Sequence, residues 1–270
     1  MRIAFIGGGN MGGALVGGLL ARGFEAAALS VVEPLAPARE RIAAQYRVHA
    51  SAAPDAATRA ADTLVLAVKP QDMRAALAPL AALAPGKLVV SIAAGLRLAD
   101  LSRWLGGHAK LVRAMPNTPA LIGAGATGLY APAEVSAAER ARAEAILGAV
   151  GAAVWLDDEA QLDAVTALSG SGPAYVFWFI EKLAAAGEQL GLAPQVARRL
   201  ALETVLGAAR LAAQSAEPPA TLRERVTSKG GTTEAALRVF EQEQLAERLA
   251  RALEAARQRG AELGDQLGRD

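Results

Sequence analysis

Three glycines carry the first chemistry in this chain. Gly7, Gly9 and Gly12 stand at the G-x-G-x-x-G spacing, directly after the apolar run Ile3 to Ile6. At that spacing the first glycine turns the chain sharply off a strand. The second lets backbone N–H groups approach a pyrophosphate, and the third lets a helix pack closely on the strand. The helix N-terminus then offers partial positive charge to phosphate. Such a motif is informative only with a strand before it and a helix after it, and both are expected here, the helix over Ala14 to Leu20. An acid roughly 20 positions further on would accept hydrogen bonds from an adenosine ribose, and Glu33 lies at that distance. Arg39 and Arg41 follow closely and could instead meet a 2′-phosphate. Both NADH and NADPH stay open on this reading.

Two other stretches could do chemistry. Met115-Pro-Asn-Thr-Pro119 is a loop stiffened by two prolines, in which Asn117 and Thr118 supply donors and acceptors. Ser228-Lys-Gly-Gly-Thr-Thr233 precedes a helical stretch. Thr232 or Thr233 is placed to cap that helix, and the same geometry would bind a small carboxylate on exposed N–H groups. The chain has only two histidines, His49 and His108, both in loop-like stretches and read as surface residues. With no Ser-His-Asp order and no paired carboxylates, a bound cofactor must carry the reaction, while the protein positions the reactants. Asp157-Asp158-Glu159 is read as capping and dipole chemistry rather than a metal site, so no metal is expected.

Composition narrows the partners. The chain has 270 residues, 53% of them hydrophobic and 20% charged, which suits well-packed globular domains. A formal charge of +1 argues against nucleic acid or an anionic membrane as partner. Zero cysteines exclude disulfides and thiolate catalysis. With no leader-like opening and no apolar run long enough to span a bilayer, a cytoplasmic protein is expected.

The elements that must position these residues alternate. Strand-like runs at Ile3 to Ile6, Ala26 to Val32, Thr63 to Val68, Leu88 to Ala94 and Leu111 to Ala114 are separated by helical stretches. Thr127 to Ala131 and Ala152 to Leu156 complete the strands. The alternation predicts an α/β fold, a Rossmann-like doubly wound sheet. Ligands sit at the carboxyl ends of such strands, which makes Ala67 to Pro70 a second candidate cofactor contact. Beyond about Asp157 only helices follow, from Ser169 onward, with apolar residues beyond a single stripe. An all-α dimerisation domain is expected, with the boundary between 1–157 and 158–270, and a homo-oligomer formed through the helical part.

Six stretches taken together resemble the pyrroline-5-carboxylate reductase family. They are Gly7 to Gly12, Ala67 to Pro70, Val90 to Gly95, Arg113 to Pro119, Ser169 to Tyr175 and Lys229 to Thr233, in order along essentially the whole chain. The resemblance implies NADPH- or NADH-dependent reduction of 1-pyrroline-5-carboxylate to L-proline, the last step of proline biosynthesis. It implies a homodimer, often assembled into a decamer, with the substrate pocket formed between subunits. Cofactor contacts carry over to Ile6, Gly7, Gly8, Gly9, Asn10 and Met11, and to Ala67, Val68, Lys69 and Pro70. The substrate contacts are Met115, Pro116, Asn117, Ser171, Gly230, Gly231, Thr232 and Thr233, with Thr233 hydrogen-bonding the ring nitrogen. Family members usually carry Ser-Pro-Gly-Gly where this chain has Ser228-Lys229-Gly230-Gly231. Many place a short polar residue at the end of the second strand, and Glu33 departs from that pattern.

Two other readings compete. A hydroxyacid dehydrogenase shares the opening motif but needs a lysine near the start of the long helix. Here the first lysine after Ser171 is Lys182. A cyclic imine can take its proton from water before hydride arrives, so it makes no such demand. A nucleotide-binding regulator would not need the Met115–Pro119 and Gly230–Thr233 loops.

Overall fold

Continuous apolar runs become short strands buried on both faces. In the computed structural model, which describes residues 1–269, β1 (Ile3–Ile6), β2 (Leu29–Val32), β3 (His49–Ser51) and β4 (Thr63–Leu66) are followed by β5 (Leu88–Ser91), β6 (Leu111–Met115), β7 (Gly125–Tyr130) and β8 (Gly151–Trp155). They form one eight-stranded sheet in the order β3-β2-β1-β4-β5-β6-β7-β8. The first six strands are parallel, β7 runs antiparallel to β6, and β8 is parallel to β7. Every residue of β1, β2, β4 and β5 is buried, as a parallel sheet covered on both sides requires.

Alternating side chains feed two cores. On one face Ile3 and Phe5 join Leu15, Val16, Leu19, Ile146 and Val150. On the other, Ala4 and Ile6 join Leu64, Leu66, Met73, Leu77 and Leu101. The covering helices are α1 (Asn10–Ala21), α2 (Ala36–Tyr46), α3 (Ala56–Ala60), α4 (Met73–Leu77), α5 (Leu98–Trp104), α6 (Ala137–Gly148) and α7 (Gln161–Val165). Some boundaries differ from expectation. The first helix starts at Asn10 rather than Ala14, so the glycine motif runs into it without an intervening loop. Ala26–Ala28 form a 3₁₀ turn ahead of β2. The helix after β4 covers Met73–Leu77 and tightens to 3₁₀ over Ala78–Leu80, where Pro79 stands.

A five-residue π-turn, Thr166–Gly170, leads from α7 into α8 (Gly172–Gln189), with Pro173 in its first turn. Then come α9 (Pro194–Gln214), α10 (Pro219–Arg225), α11 (Thr232–Gln242) and α12 (Leu245–Leu267). The chain forms two compact units. One is Met1–Ser171 together with the chain from Ala255 onward, and the other is Gly172–Glu254. The first break falls after the expected residue 157 because α7 packs on β6 and β7.

The helical unit is held by small residues. Ala184, Ala197 and Ala201 are its buried side chains, and a Cβ on Gly187 would come within 3.3 Å of the Ala197 Cβ. Large apolar residues stay uncovered in the single chain, Phe177 at 65% and Trp178 at 57% among them. Among the described residues no helix is long and apolar enough to cross a membrane.

Candidate active site

Strand order reverses direction between β1 and β4, and a doubly wound sheet opens its ligand crevice at such a point. Ile6 pairs with Val32 on one side and Leu66 on the other. Their successors stay joined: Gly7 N–H donates to the Val32 carbonyl at 2.9 Å, and Ala67 N–H to the Ile6 carbonyl at 2.7 Å. The two candidate cofactor segments, Ile6–Gly12 and Ala67–Pro70, are therefore side by side at one sheet edge. Val68 packs against the core beneath them, Lys69 is exposed, and Pro70 opens a 3₁₀ turn over Pro70–Asp72.

The glycines have different tasks. Gly7 has φ +105°, and a Cβ there would lie 2.7 Å from the Ala67 carbonyl oxygen. A Cβ on Gly12 would lie 2.5 Å from the Gly7 carbonyl oxygen, so the helix can approach the strand only with glycine at that position. Above Gly9 the space is open, with nothing within 4 Å of a built Cβ. Gly9 is also the N-cap of α1, with no side-chain cap and no acid in the first turn. Open space at that glycine beside uncapped helix N–H groups fits a pyrophosphate. The residues present thus suit a dinucleotide cofactor. Asn10 is exposed at this helix start, while Met11 packs against the core. Glu33 follows β2 and is buried, its carboxylate accepting from Gly8 N–H at 2.8 Å and Leu35 N–H at 2.9 Å.

The loop after β6 reaches the same sheet edge. Asn117 Nδ2 donates to the Ser169 carbonyl at 3.0 Å, and its Oδ1 accepts from Ala126 N–H at 2.9 Å. Pro116 and Asn117 are buried, and Met115 lies against Gly170, where a Cβ would come within 2.6 Å of the Met115 Cε. Ser171 N–H closes the π-turn onto the Thr166 carbonyl at 2.8 Å. Met115, Pro116, Asn117 and Ser171 therefore belong to the same unit as the glycine cradle. A buried cation supports them: Arg113 pairs with Glu159 at 3.1 Å and Asp163 at 3.4 Å. Glu159 Oε1 also accepts from Leu98 N–H at 2.8 Å. Sequence reasoning missed this network, whose only signal is an arginine inside an apolar strand.

The Gly230–Thr233 loop lies in the helical unit. Gly230 has φ +73°, and its N–H donates to Glu234 Oε2 at 2.7 Å. Gly231, not a threonine, is the N-cap of α11, and Thr232 and Thr233 are the first two helical residues. Cap geometry needs an extended residue there, and Gly231 supplies it at φ −85°, ψ 174°. Neither threonine hydroxyl caps the helix, which leaves the Thr233 hydroxyl for other partners.

Both histidines stand at the opposite edge of the sheet. His49 opens β3 rather than a loop, and its Nε2 meets Asp55 at 2.6 Å. His108 precedes β6 and is half-buried, with its Nε2 3.0 Å from the Lys87 carbonyl. Burial pushes the His108 pKa down. Asp158 caps its own turn through Ala160 N–H, and Glu159 serves Arg113, as the capping reading anticipates in part. Among the described residues no group of three or more His, Asp or Glu could hold a metal ion.

Comparison with known proteins agrees with this layout. Residues 159–263 match the family domain described as pyrroline-5-carboxylate reductase dimerisation. Residues 2–95 match the one described as NADP oxidoreductase coenzyme F420-dependent. The chain is 53% identical over 270 residues to a pyrroline-5-carboxylate reductase from Pseudomonas aeruginosa, covering 99% of this chain and 98% of that one. A solved pyrroline-5-carboxylate reductase from Coxiella burnetii superposes with a TM-score of 0.93 at 41% identity, over 97% of this chain and 98% of that one. The Plasmodium falciparum pyrroline carboxylate reductase with NADP bound gives 0.85 at 29% identity, with 98% of each chain covered. The chain belongs to the pyrroline-5-carboxylate reductase family.

Proposed function

We infer that this protein reduces 1-pyrroline-5-carboxylate to L-proline with a nicotinamide cofactor, the closing step of proline biosynthesis. The observation that carries the inference is identity of 53% to a pyrroline-5-carboxylate reductase over 99% of the chain. The glycine cradle and the Gly-Gly-Thr-Thr turn supply the two chemical functions such a reaction needs.

The bound cofactor supplies the hydride. Gly9, Asn10, Met11 and Gly12, at the start of α1, would hold its pyrophosphate, with Ile6, Gly7 and Gly8 leading into them. Glu33 stands at the ribose end, and Ala67, Val68, Lys69 and Pro70 line the adjoining strand end. Backbone N–H groups of Thr232 and Thr233, at the start of α11, receive the substrate carboxylate, because a helix N-terminus favours an anion. Gly230 and Gly231, whose own N–H groups are engaged by Glu234 and Ser228, shape the turn. The Thr233 hydroxyl orients the ring nitrogen. Met115, Pro116, Asn117 and Ser171 form the wall, with Asn117 fixing the loop and the turn. Acceleration comes chiefly from holding the imine carbon in line for hydride, which avoids the entropy of a random encounter. No protein general acid is required, since the imine nitrogen takes its proton from water.

The expected division gives 1–157 to the cofactor and 158–270 to dimerisation and substrate; in this reading Met115, Pro116 and Asn117 of the first part also serve the substrate. Exposed apolar side chains on α8, such as Phe177 and Trp178, support a homodimer through the helical part. Assembly of five dimers into a decamer, and a cytoplasmic location, belong to the same reading. Oxidation of NADPH and NADH with 1-pyrroline-5-carboxylate and with small 2-keto acids is the test. Turnover of the imine is expected, and activity on the keto acids alone would remove the assignment.

A further inference from the structure

The acid at the ribose end of the cradle is locked in place. Glu33 is 8% exposed, and both of its carboxylate oxygens accept backbone donors, Gly8 N–H at 2.8 Å and Leu35 N–H at 2.9 Å. The carboxylate is thus fixed between the end of β2 and the glycine turn. The neighbouring cations bond main-chain carbonyls instead. Arg39 Nη1 donates to the Glu33 and Pro34 carbonyls at 2.8 and 3.0 Å. Arg41 Nη2 reaches the Gly8 carbonyl at 3.5 Å. Neither guanidinium is paired with the carboxylate, so no side-chain cation neutralises its charge.

At this strand end a doubly wound sheet meets the adenosine ribose. A fixed carboxylate accepts hydrogen bonds from ribose hydroxyls and repels a 2′-phosphate, because like charges a few ångströms apart interact strongly in a partly dry cleft. The Gly8 N–H, a donor that a phosphate could use, is already engaged by the same carboxylate. We propose that Glu33 is the specificity-determining residue that selects the dinucleotide lacking a 2′-phosphate. This protein therefore prefers NADH to NADPH, unlike the Plasmodium relative that carries NADP. The proposal rests on the reading of Gly7–Gly12 as the cofactor cradle.

Calorimetric titration of the full-length protein with ADP and with 2′,5′-ADP tests it without turnover, and NAD⁺ and NADP⁺ repeat the comparison on the whole cofactor. The wild-type chain is expected to bind ADP at least tenfold more tightly than 2′,5′-ADP. Glu33→Gln keeps the shape and one acceptor while removing the charge, and should narrow that ratio at least tenfold. Glu33→Ser should narrow it as far or further. Equal or tighter binding of 2′,5′-ADP by the wild type overturns the proposal, as does an unchanged ratio in Glu33→Gln. If Glu33→Ser fails to fold, the other two proteins decide. If neither nucleotide binds and no nicotinamide is oxidised, the cradle reading falls and this proposal with it. Binding of both nucleotides with imine reduction intact and no preference for ADP removes only the role of Glu33.

Discussion

The Asn117 amide donates to the carbonyl of Ser169 at 3.0 Å across 52 residues of sequence. The same amide accepts from Ala126 N–H, so one side chain ties the loop after β6 to both β7 and the turn that launches α8. Replacing it by alanine leaves a partly buried carbonyl and a partly buried N–H without this partner. Asn117→Ala is expected to lose about 1–3 kcal/mol, read as a lowered urea midpoint. Imine turnover should fall with it as the turn loosens. An unshifted midpoint would show that the bridge carries no stability.

Thr233 is the second residue of α11, and its hydroxyl does not cap the helix. Thr233→Ala should lower kcat/KM for the imine by about 10–100-fold, the worth of one good hydrogen bond to a polar or charged partner. Thr233→Ser should keep most of the activity. Unchanged kcat/KM in the alanine variant removes Thr233 from the mechanism.

Two glycines of α12 should respond to alanine with opposite signs. Gly260 has open space where a Cβ would go, so Gly260→Ala should stabilise by about 0.5–1 kcal/mol through helix propensity. At Gly264 a Cβ would sit 2.6 Å from the Gly95 carbonyl oxygen. Gly264→Ala should therefore destabilise in spite of the same propensity gain. Thermal melts of the two variants beside the wild type check the prediction, and a shared sign would refute the close contact.

Acid should act through Glu139. The Lys110 ammonium and the Ser136 hydroxyl hold its carboxyl down to about 2, against an ordinary value of 4.5. With the folded value depressed, the unfolded chain takes the proton first. The stabilisation is complete above about 4.5 and disappears as pH falls from there toward 2. Urea midpoints measured across that window should drop more steeply for the wild type than for Glu139→Gln. Parallel slopes would show that Glu139 contributes nothing to acid sensitivity.

The strands were legible because both faces of a parallel sheet are covered, so Ile3–Ile6, 64–66 and 88–90 had to be unbroken apolar runs. The cradle was legible because Gly7 and Gly12 are demanded by backbone atoms at fixed positions. Local chemistry hid more. Gly-rich residues 10–13 look like loop on propensity, yet packing against the sheet makes them helix. Threonines looked like the better caps for α11, but Gly231 already holds the extended conformation a cap requires. Arg113, Glu159 and Asp163 lie 46 and 50 residues apart, and only the fold brings them together. Glu33 was visible as an acid at the right distance, but its grip on Gly8 N–H was not.

The last turns of α12 return to the unit formed by the first 171 residues. Gly264 meets Gly95, Arg97 pairs with Asp265 at 2.6 Å, Arg103 donates to the Gly268 carbonyl at 2.7 Å, and Leu267 joins the core beside Leu101. The helical unit is thus an excursion within a discontinuous domain. During synthesis the nascent sheet unit must wait, its β5–α5 surface bare, until more than 90 further residues have left the ribosome, counted from Ser171 to Gly264 (264 − 171 = 93). A chain cut short before Ala255 would therefore carry an unfinished sheet unit as well as a shortened last helix, leaving an apolar patch for chaperones to recognise.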